Sequence, residues 1–197
     1  MNCLVVSGSP RARGRSAALA QAVARELRAA DPAAQIEVQL LADLRISPCT
    51  GCGFCEGSSR HDPDPRAAGP CVIADDMAAL RSRLDACDEL VVVAPVYFAG
   101  PPAQLKALFD RLQPYFWADW RHTPKRPADL YVVGEGGDPH GFAPLVGSAR
   151  SALAVAGFRL RDVHDWVGEL PERPASIAHA LTGGRVRPAA DFQVPGL

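Results

Sequence analysis

Charge of one sign is the first thing this sequence lacks. Its 21 Lys and Arg against 22 Asp and Glu leave a formal net charge of -1. That balance gives no electrostatic footprint for nucleic acid or for an anionic membrane surface, and neither is expected as a partner. Long apolar runs are missing too: no stretch reaches the ~18 residues that a membrane span needs. The opening residues, Met1-Asn2-Cys3-Leu4-Val5-Val6, have neither a basic start nor a long apolar core. They read as a first strand and not as a signal peptide. The expected location is therefore cytoplasmic, a reducing compartment. There the six cysteines are ligands, redox groups or core fillers sooner than structural disulfides. There is no internal repeat, no GxxxxGK[ST] triphosphate loop and no GxGxxG dinucleotide fingerprint.

What is present is an alternation of periods. Leu4-Val5-Val6 is a short apolar run that stops at Ser7-Gly8-Ser9-Pro10. From Ser16, Leu19, Val23, Ala24 and Leu27 fall on one face at helical spacing, and Asp31-Pro32 ends that helix. Ile36–Leu40 alternates like a second strand, and a cysteine-rich loop follows from about Ser47 to Cys71. Asp75-Asp76 has the chemistry of a helix start before Met77, Leu80 and Leu84. Leu90–Ala94, unbroken and apolar, suits a central parallel strand covered on both faces. A helix around Leu105–Asp110, a strand at Leu130–Val133, a helix through Val146 to Ala156 and a strand near Leu160–Val167 complete the order.

Four strand–loop–helix units and a closing strand give a doubly wound α/β fold: a five-stranded parallel sheet in three α/β/α layers with right-handed crossovers. The 197 residues suffice for one such domain with a substantial core. We expect that domain to occupy residues 1–170, with the cysteine-rich loop at 47–71. The proline- and glycine-rich tail, 171–197, would pack on it or on a neighbouring subunit.

In such sheets ligands bind beyond the carboxyl ends of the strands, at the topological switch point. The loop Ser9-Pro10-Arg11-Ala12-Arg13-Gly14-Arg15-Ser16 stands at one of these ends and opens into a helix. Unpaired N–H groups and the helix dipole there favour a phosphate. Gly8 and Gly14 allow close approach, Ser9 and Ser16 offer hydroxyls, and Arg11, Arg13 and Arg15 offer charge. Alone, the pattern fits equally an ordinary Gly/Ser/Pro turn with solvated arginines.

Ser7-Gly8-Ser9-Pro10-Arg11 with Gly14 and Ser16 resembles the phosphate loop of the NADPH-dependent FMN reductase and flavodoxin-like superfamily. Ala94-Pro95-Val96-Tyr97-Phe98-Ala99-Gly100-Pro101-Pro102-Ala103-Gln104-Leu105-Lys106 is similar to its flavin loop. The resemblance implies a flavodoxin-like sheet of order 2-1-3-4-5, with the two loops at its switch point. It also implies FMN as cofactor, NAD(P)H as co-substrate, and a homodimer or homotetramer. The position before Ser16, usually a small polar residue in that family, is Arg15 here.

By the same resemblance, Pro95, Val96, Tyr97 and Phe98 border the isoalloxazine. Gly134, Gly136 and Gly137, in Gly134-Glu135-Gly136-Gly137-Asp138, bring backbone N–H groups to its pyrimidine edge. Tyr97 and Phe98 could equally cap the core, and the glycines could form a plain turn. His140 is a donor to the ring or a surface residue. Tyr115, Phe116, Trp117 and Trp120 line a substrate face or an interface, or pack inside. No side chain is needed to carry hydride, because the flavin does so.

Cys49-Thr50-Gly51-Cys52-Gly53-Phe54-Cys55 can wrap three corners of a [4Fe–4S] cluster, with Cys71 as the fourth ligand. This resembles the iron–sulfur flavoproteins, but fifteen residues separate Cys55 from Cys71, more than in that compact motif. Free thiols or a redox pair are the second reading, and zinc on these cysteines or His61 is the third. The insert Gly57 to Pro70 reads as an exposed loop, and Cys3 and Cys87 as core residues. The expected function is an NAD(P)H oxidoreductase reducing a quinone, a flavin or a similar acceptor through FMN. The alternatives are an electron carrier with [4Fe–4S] beside FMN, served by a redox partner protein, and a non-catalytic zinc module.

Overall fold

In the computed structural model, which describes residues 1–60, 68–168 and 185–192, a six-stranded sheet lies between two helical layers. The strands are β1 (Asn2–Ser7), β2 (Gln35–Leu40), β3 (Glu89–Pro95), β4 (Arg126–Gly134), β5 (Phe158–Val167) and β6 (Arg185–Pro188). Their order is β2-β1-β3-β4-β5-β6. The first five are parallel in the predicted order, and β6 joins the edge of β5 antiparallel.

Alternation along the strands builds the two cores. Leu4, Val6, Leu90 and Val92 face α3 (Met77–Ala86), α4 (Ala103–Asp110) and α6 (Ala143–Val155). Val5, Val91 and Val93 face the other way, onto Leu19, Ala20 and Val23 of α1 (Arg15–Ala30). In β1 and β3 these residues are buried on both faces, which is why they read as unbroken apolar runs. Among the described residues no helix is long and apolar enough to cross a membrane.

The remaining helices are α2 (Phe54–Arg60) and α5 (Gln113–Trp117). The first is a correction: the segment from Gly57 does not begin as open loop but continues α2 to Arg60. Beyond it, Arg81 donates to the Ala68 and Gly69 carbonyls, so the end of the insert is tied to α3. The start of α3 lies where Asp75-Asp76 places it, and the two carboxylates divide the work. Asp76 occupies the cap position without capping, and the Met77 N–H instead donates to Asp75 Oδ1 at 3.1 Å. Asp76 accepts from the Arg45 N–H. Both carboxylates thus fasten the incoming loop.

Candidate functional site

The loops after β1, β3 and β4 converge at the carboxyl edge of the sheet around a cavity of about 730 Å³. Ser9, Arg11, Gly14, Arg15 and Ser16 line one end; Pro95, Val96, Tyr97 and Phe98 form a wall; Gly134, Gly136 and Gly137 complete a third side. All twelve residues predicted for a flavin site therefore share one cavity.

The end formed by the loop after β1 is built from backbone. The Gly8 N–H donates to the Val93 carbonyl at 2.8 Å, locking the start of the loop onto β3. The Ser9 hydroxyl accepts the Arg11 N–H at 3.1 Å, and Ser9 and Ser16 are both buried. Gly14 sits at the α1 N-cap in extended backbone with no side-chain cap, and the first turn carries no acidic residue. The helix therefore offers unclaimed N–H groups and an unneutralised dipole, which suits an anion. Arg15 pairs with Glu135 at 2.5 Å across the opening. Tyr97 stands beside Arg11 and raises the guanidinium pKa through a side-chain hydrogen bond.

The wall carries a strained turn. Tyr97 and Gly100 exchange N–H···O bonds of 2.9 and 3.0 Å, and the two residues between them, Phe98 and Ala99, have φ of 50° and 61°. Positive φ at both central positions is the geometry for which Asn-Gly is preferred, so Phe-Ala holds it at a cost. The turn persists because Ala99 is buried and its carbonyl accepts the Leu145 N–H at 3.1 Å. The Phe98 side chain is fully exposed. Gly136 and Gly137, both at φ 87°, make the turn after β4.

Sequence reasoning missed Phe142, Asp165, Val167 and Arg185, which also line this cavity, and gave Glu135 no role beyond its place in the loop after β4. Asp165 is buried; its Oδ1 accepts the Val167 N–H at 2.9 Å and its Oδ2 pairs with Arg185 at 3.1 Å. A carboxylate near the carboxyl end of β5 was the available signal. His140 is exposed and is not among the lining residues.

Cys49, Cys52, Cys55 and Cys71 line a second cavity of about 270 Å³, together with Phe54, Arg111 and Trp117. Gly51 and Gly53, at φ 66° and 72°, reverse the chain between successive cysteines. The Gly51 N–H points at Cys49 Sγ, 3.5 Å away. Among the described residues no three His, Cys, Asp or Glu side chains gather tightly enough for a single metal ion; His61 lies outside the described residues. Arg111 and Asp75, both buried, form a two-pronged pair at 2.8 and 3.0 Å beneath this cavity. Burial opposes both charges. It is outweighed, so that Asp75 titrates below and Arg111 above the ordinary value.

Of the aromatic group, Tyr115 is core, Phe116 and Trp117 are half-exposed, and Trp120 is partly buried against the core. Cys3 and Cys87 are buried, as expected, and desolvation pushes their thiols up to about 12 and about 11.

Sheet order defines a flavodoxin-like doubly wound protein, with a cavity at its switch point. Residues 1–168 match the family model described as NADPH-dependent FMN reductase, and the chain belongs to that family. An iron–sulfur flavoprotein of Methanocaldococcus jannaschii is 32% identical over 114 residues, covering 58% of this chain and 53% of the relative. One of Archaeoglobus fulgidus is 30% identical over 179 residues, covering 83% and 85%. The match spans about half the length of the first three curated relatives, at 53%, 47% and 49%. The fold is that of an NAD(P)H:quinone oxidoreductase from Methanothermobacter marburgensis, with a TM-score of 0.60 at 19% identity over 88% of this chain and 89% of the other.

Proposed function

We propose that this chain is an FMN-dependent NAD(P)H oxidoreductase that passes electrons to a quinone, a flavin or a similar small acceptor. The observation that carries this reading is the convergence of three loops on one cavity, with a charged, hydroxyl-lined helix terminus at one end and an apolar wall beside it. That is the polarity of FMN, a phosphate joined to a large planar ring. Bound FMN supplies a ring nitrogen that accepts hydride from a nicotinamide and releases electrons onward.

The residues have separable tasks. Ser9, Ser16 and the N–H groups of α1 hold the phosphate, and Arg11 and Arg15 balance its charge. Pro95, Val96 and Tyr97 exclude water from one side of the ring, and the backbone at Gly134, Gly136 and Gly137 meets its polar edge. The reading is tested by adding FMN to the purified chain and then NADH or NADPH without air. We expect stoichiometric flavin and its bleaching by at least one nicotinamide. Protein that takes up no flavin would sink it.

A second reading is favoured by the cysteine cavity. Four thiols on the rim of one cavity are the donor set that a [4Fe–4S] cluster takes. The curated relatives carry the name iron–sulfur flavoprotein. In this reading Cys49, Cys52, Cys55 and Cys71 hold [4Fe–4S] and the chain exchanges single electrons with a redox partner protein. Anaerobic purification followed by iron analysis and a visible spectrum separates the two. Broad absorbance near ~400 nm with about four irons per chain supports the cluster, and a flavin spectrum without iron refutes it. We also propose a cytoplasmic homodimer or homotetramer, to be measured by light scattering.

A further inference from the structure

Arg111 does more beneath the cysteine cavity than balance Asp75. It follows α4, where its guanidinium is almost wholly buried, and it reaches both ends of the cysteine segment. Nη1 donates to the Ser47 carbonyl at 2.9 Å, two residues before Cys49. Nη2 donates to the Ile73 carbonyl at 3.3 Å, two residues after Cys71. Asp75 receives both prongs and accepts the Ser47 N–H at 2.8 Å. One fork thus brings together segments that the chain separates by the whole insert, placing Cys71 on the same cavity as Cys49, Cys52 and Cys55.

One donor of that fork is left over. Among the described residues the Nε–H of Arg111 is buried with no hydrogen-bond acceptor in place, while the guanidinium stands beside Cys71 and lines the cavity. A buried cationic N–H without an acceptor is costly, and such groups are normally satisfied. The acceptor chemistry at hand is sulfur carrying negative charge.

Resting on the cluster reading above, we infer that Arg111 is a positioning residue for the sulfur-ligated group of this cavity. Its fork closes the loop, and its Nε–H donates to a thiolate or sulfide of that group and favours the reduced state. Reduction by one electron, delivered from reduced flavin, breaks no bond and adds one negative charge to the four-thiolate cluster. A fixed guanidinium stabilises the more negative state more than the less negative one. Lysine cannot substitute fully: its ammonium is a point charge without the planar fork.

The test uses the full chain purified without air as wild type, Arg111→Lys and Arg111→Gln, with iron and sulfide content, flavin content and an electron-paramagnetic-resonance redox titration of the loaded fraction. We expect Arg111→Lys to bind FMN and iron but to show a roughly tenfold smaller equilibrium constant for cluster reduction, a fall of about 59 mV for one electron. Arg111→Gln, which strands Asp75, should lose iron as well. Unchanged potential in Arg111→Lys would overturn the inference, including the case where only iron loading falls, since that is what a purely structural clamp predicts. Wild-type protein free of iron but full of flavin would remove the cluster reading and this inference together, leaving the flavin assignment standing.

Discussion

Gly8 and Leu105 touch where the loop after β1 meets α4: a Cβ placed on Gly8 would lie 2.7 Å from Leu105 Cδ2 and 3.1 Å from its Cβ. The glycine is therefore fixed by packing, and the contact ties the phosphate loop to the helix that follows the apolar wall. Gly8→Ala should destabilise the chain by about 1–3 kcal/mol through overpacking, and weaken FMN binding because the loop must shift. Leu105→Ala in the same chain should return part of the FMN affinity, since it removes Cδ2 and Cγ and leaves only the Cβ in the way. A double-mutant cycle in denaturation and flavin titration reads the coupling. Additive effects would mean that the contact does not transmit to the site.

The parallel sheet was legible because burial on both faces leaves β1 and β3 no polar alternation, and α1 announces itself by Leu19, Val23 and Ala24. The strand β6 was not. Arg185-Val186-Arg187-Pro188 is exposed throughout and carries no apolar pattern, and it becomes a strand only because β5 offers an edge. Likewise α2 contains Gly57, Ser58 and Ser59, poor helix formers that local propensity assigns to a loop. The loop residues that line the larger cavity were legible as motifs, whereas the Arg111–Asp75 pair joins positions 36 apart in sequence and only tertiary structure could reveal it. Asp165 and Arg185 meet for the same reason, through pairing of β5 with an unpredicted strand.

The six thiols divide by burial. Cys49 and Cys52 are exposed, Cys55 and Cys71 are half-buried, and Cys3 and Cys87 are buried with raised pKa values. Iron-free native protein should therefore release four fast-reacting thiols to a disulfide reagent at pH 8 and two more only on unfolding. If iron is bound through the four, the fast phase should be slow until a chelator is added. Six thiols of equal rate would contradict the packing of Cys3 and Cys87.

Phe98 pays backbone strain for an exposed position, which points to a use at the cavity mouth. Phe98→Asn should raise stability by roughly 0.5–1 kcal/mol, since Asn tolerates positive φ and no buried surface is lost. Turnover with planar acceptors should fall, seen mainly in KM, while FMN affinity stays within about twofold. A stability loss on denaturant titration would show that the side chain is packed against something in solution.

His164 gives a pH dependence with a definite sign. Its ring stacks on Tyr131 at 4.0 Å, its Nδ1 is buried with no partner among the described residues, and burial holds its pKa below the ordinary histidine value. In the unfolded chain the imidazole takes a proton near pH ~6.5, while the folded chain resists. Below that pH the unfolded state binds more protons, so stability falls with falling pH until the folded ring also protonates; above it the residue contributes no slope. The slope cannot exceed about 1.4 kcal/mol per pH unit. His164→Phe keeps a ring against Tyr131 and removes the proton, so its denaturation midpoint should change less than that of wild type between pH 7.5 and 5.5. Equal slopes in the two proteins would assign the acid sensitivity to other groups, with the Asp75–Arg111 pair excluded as a cause because its loss requires pH below the ordinary carboxylate range.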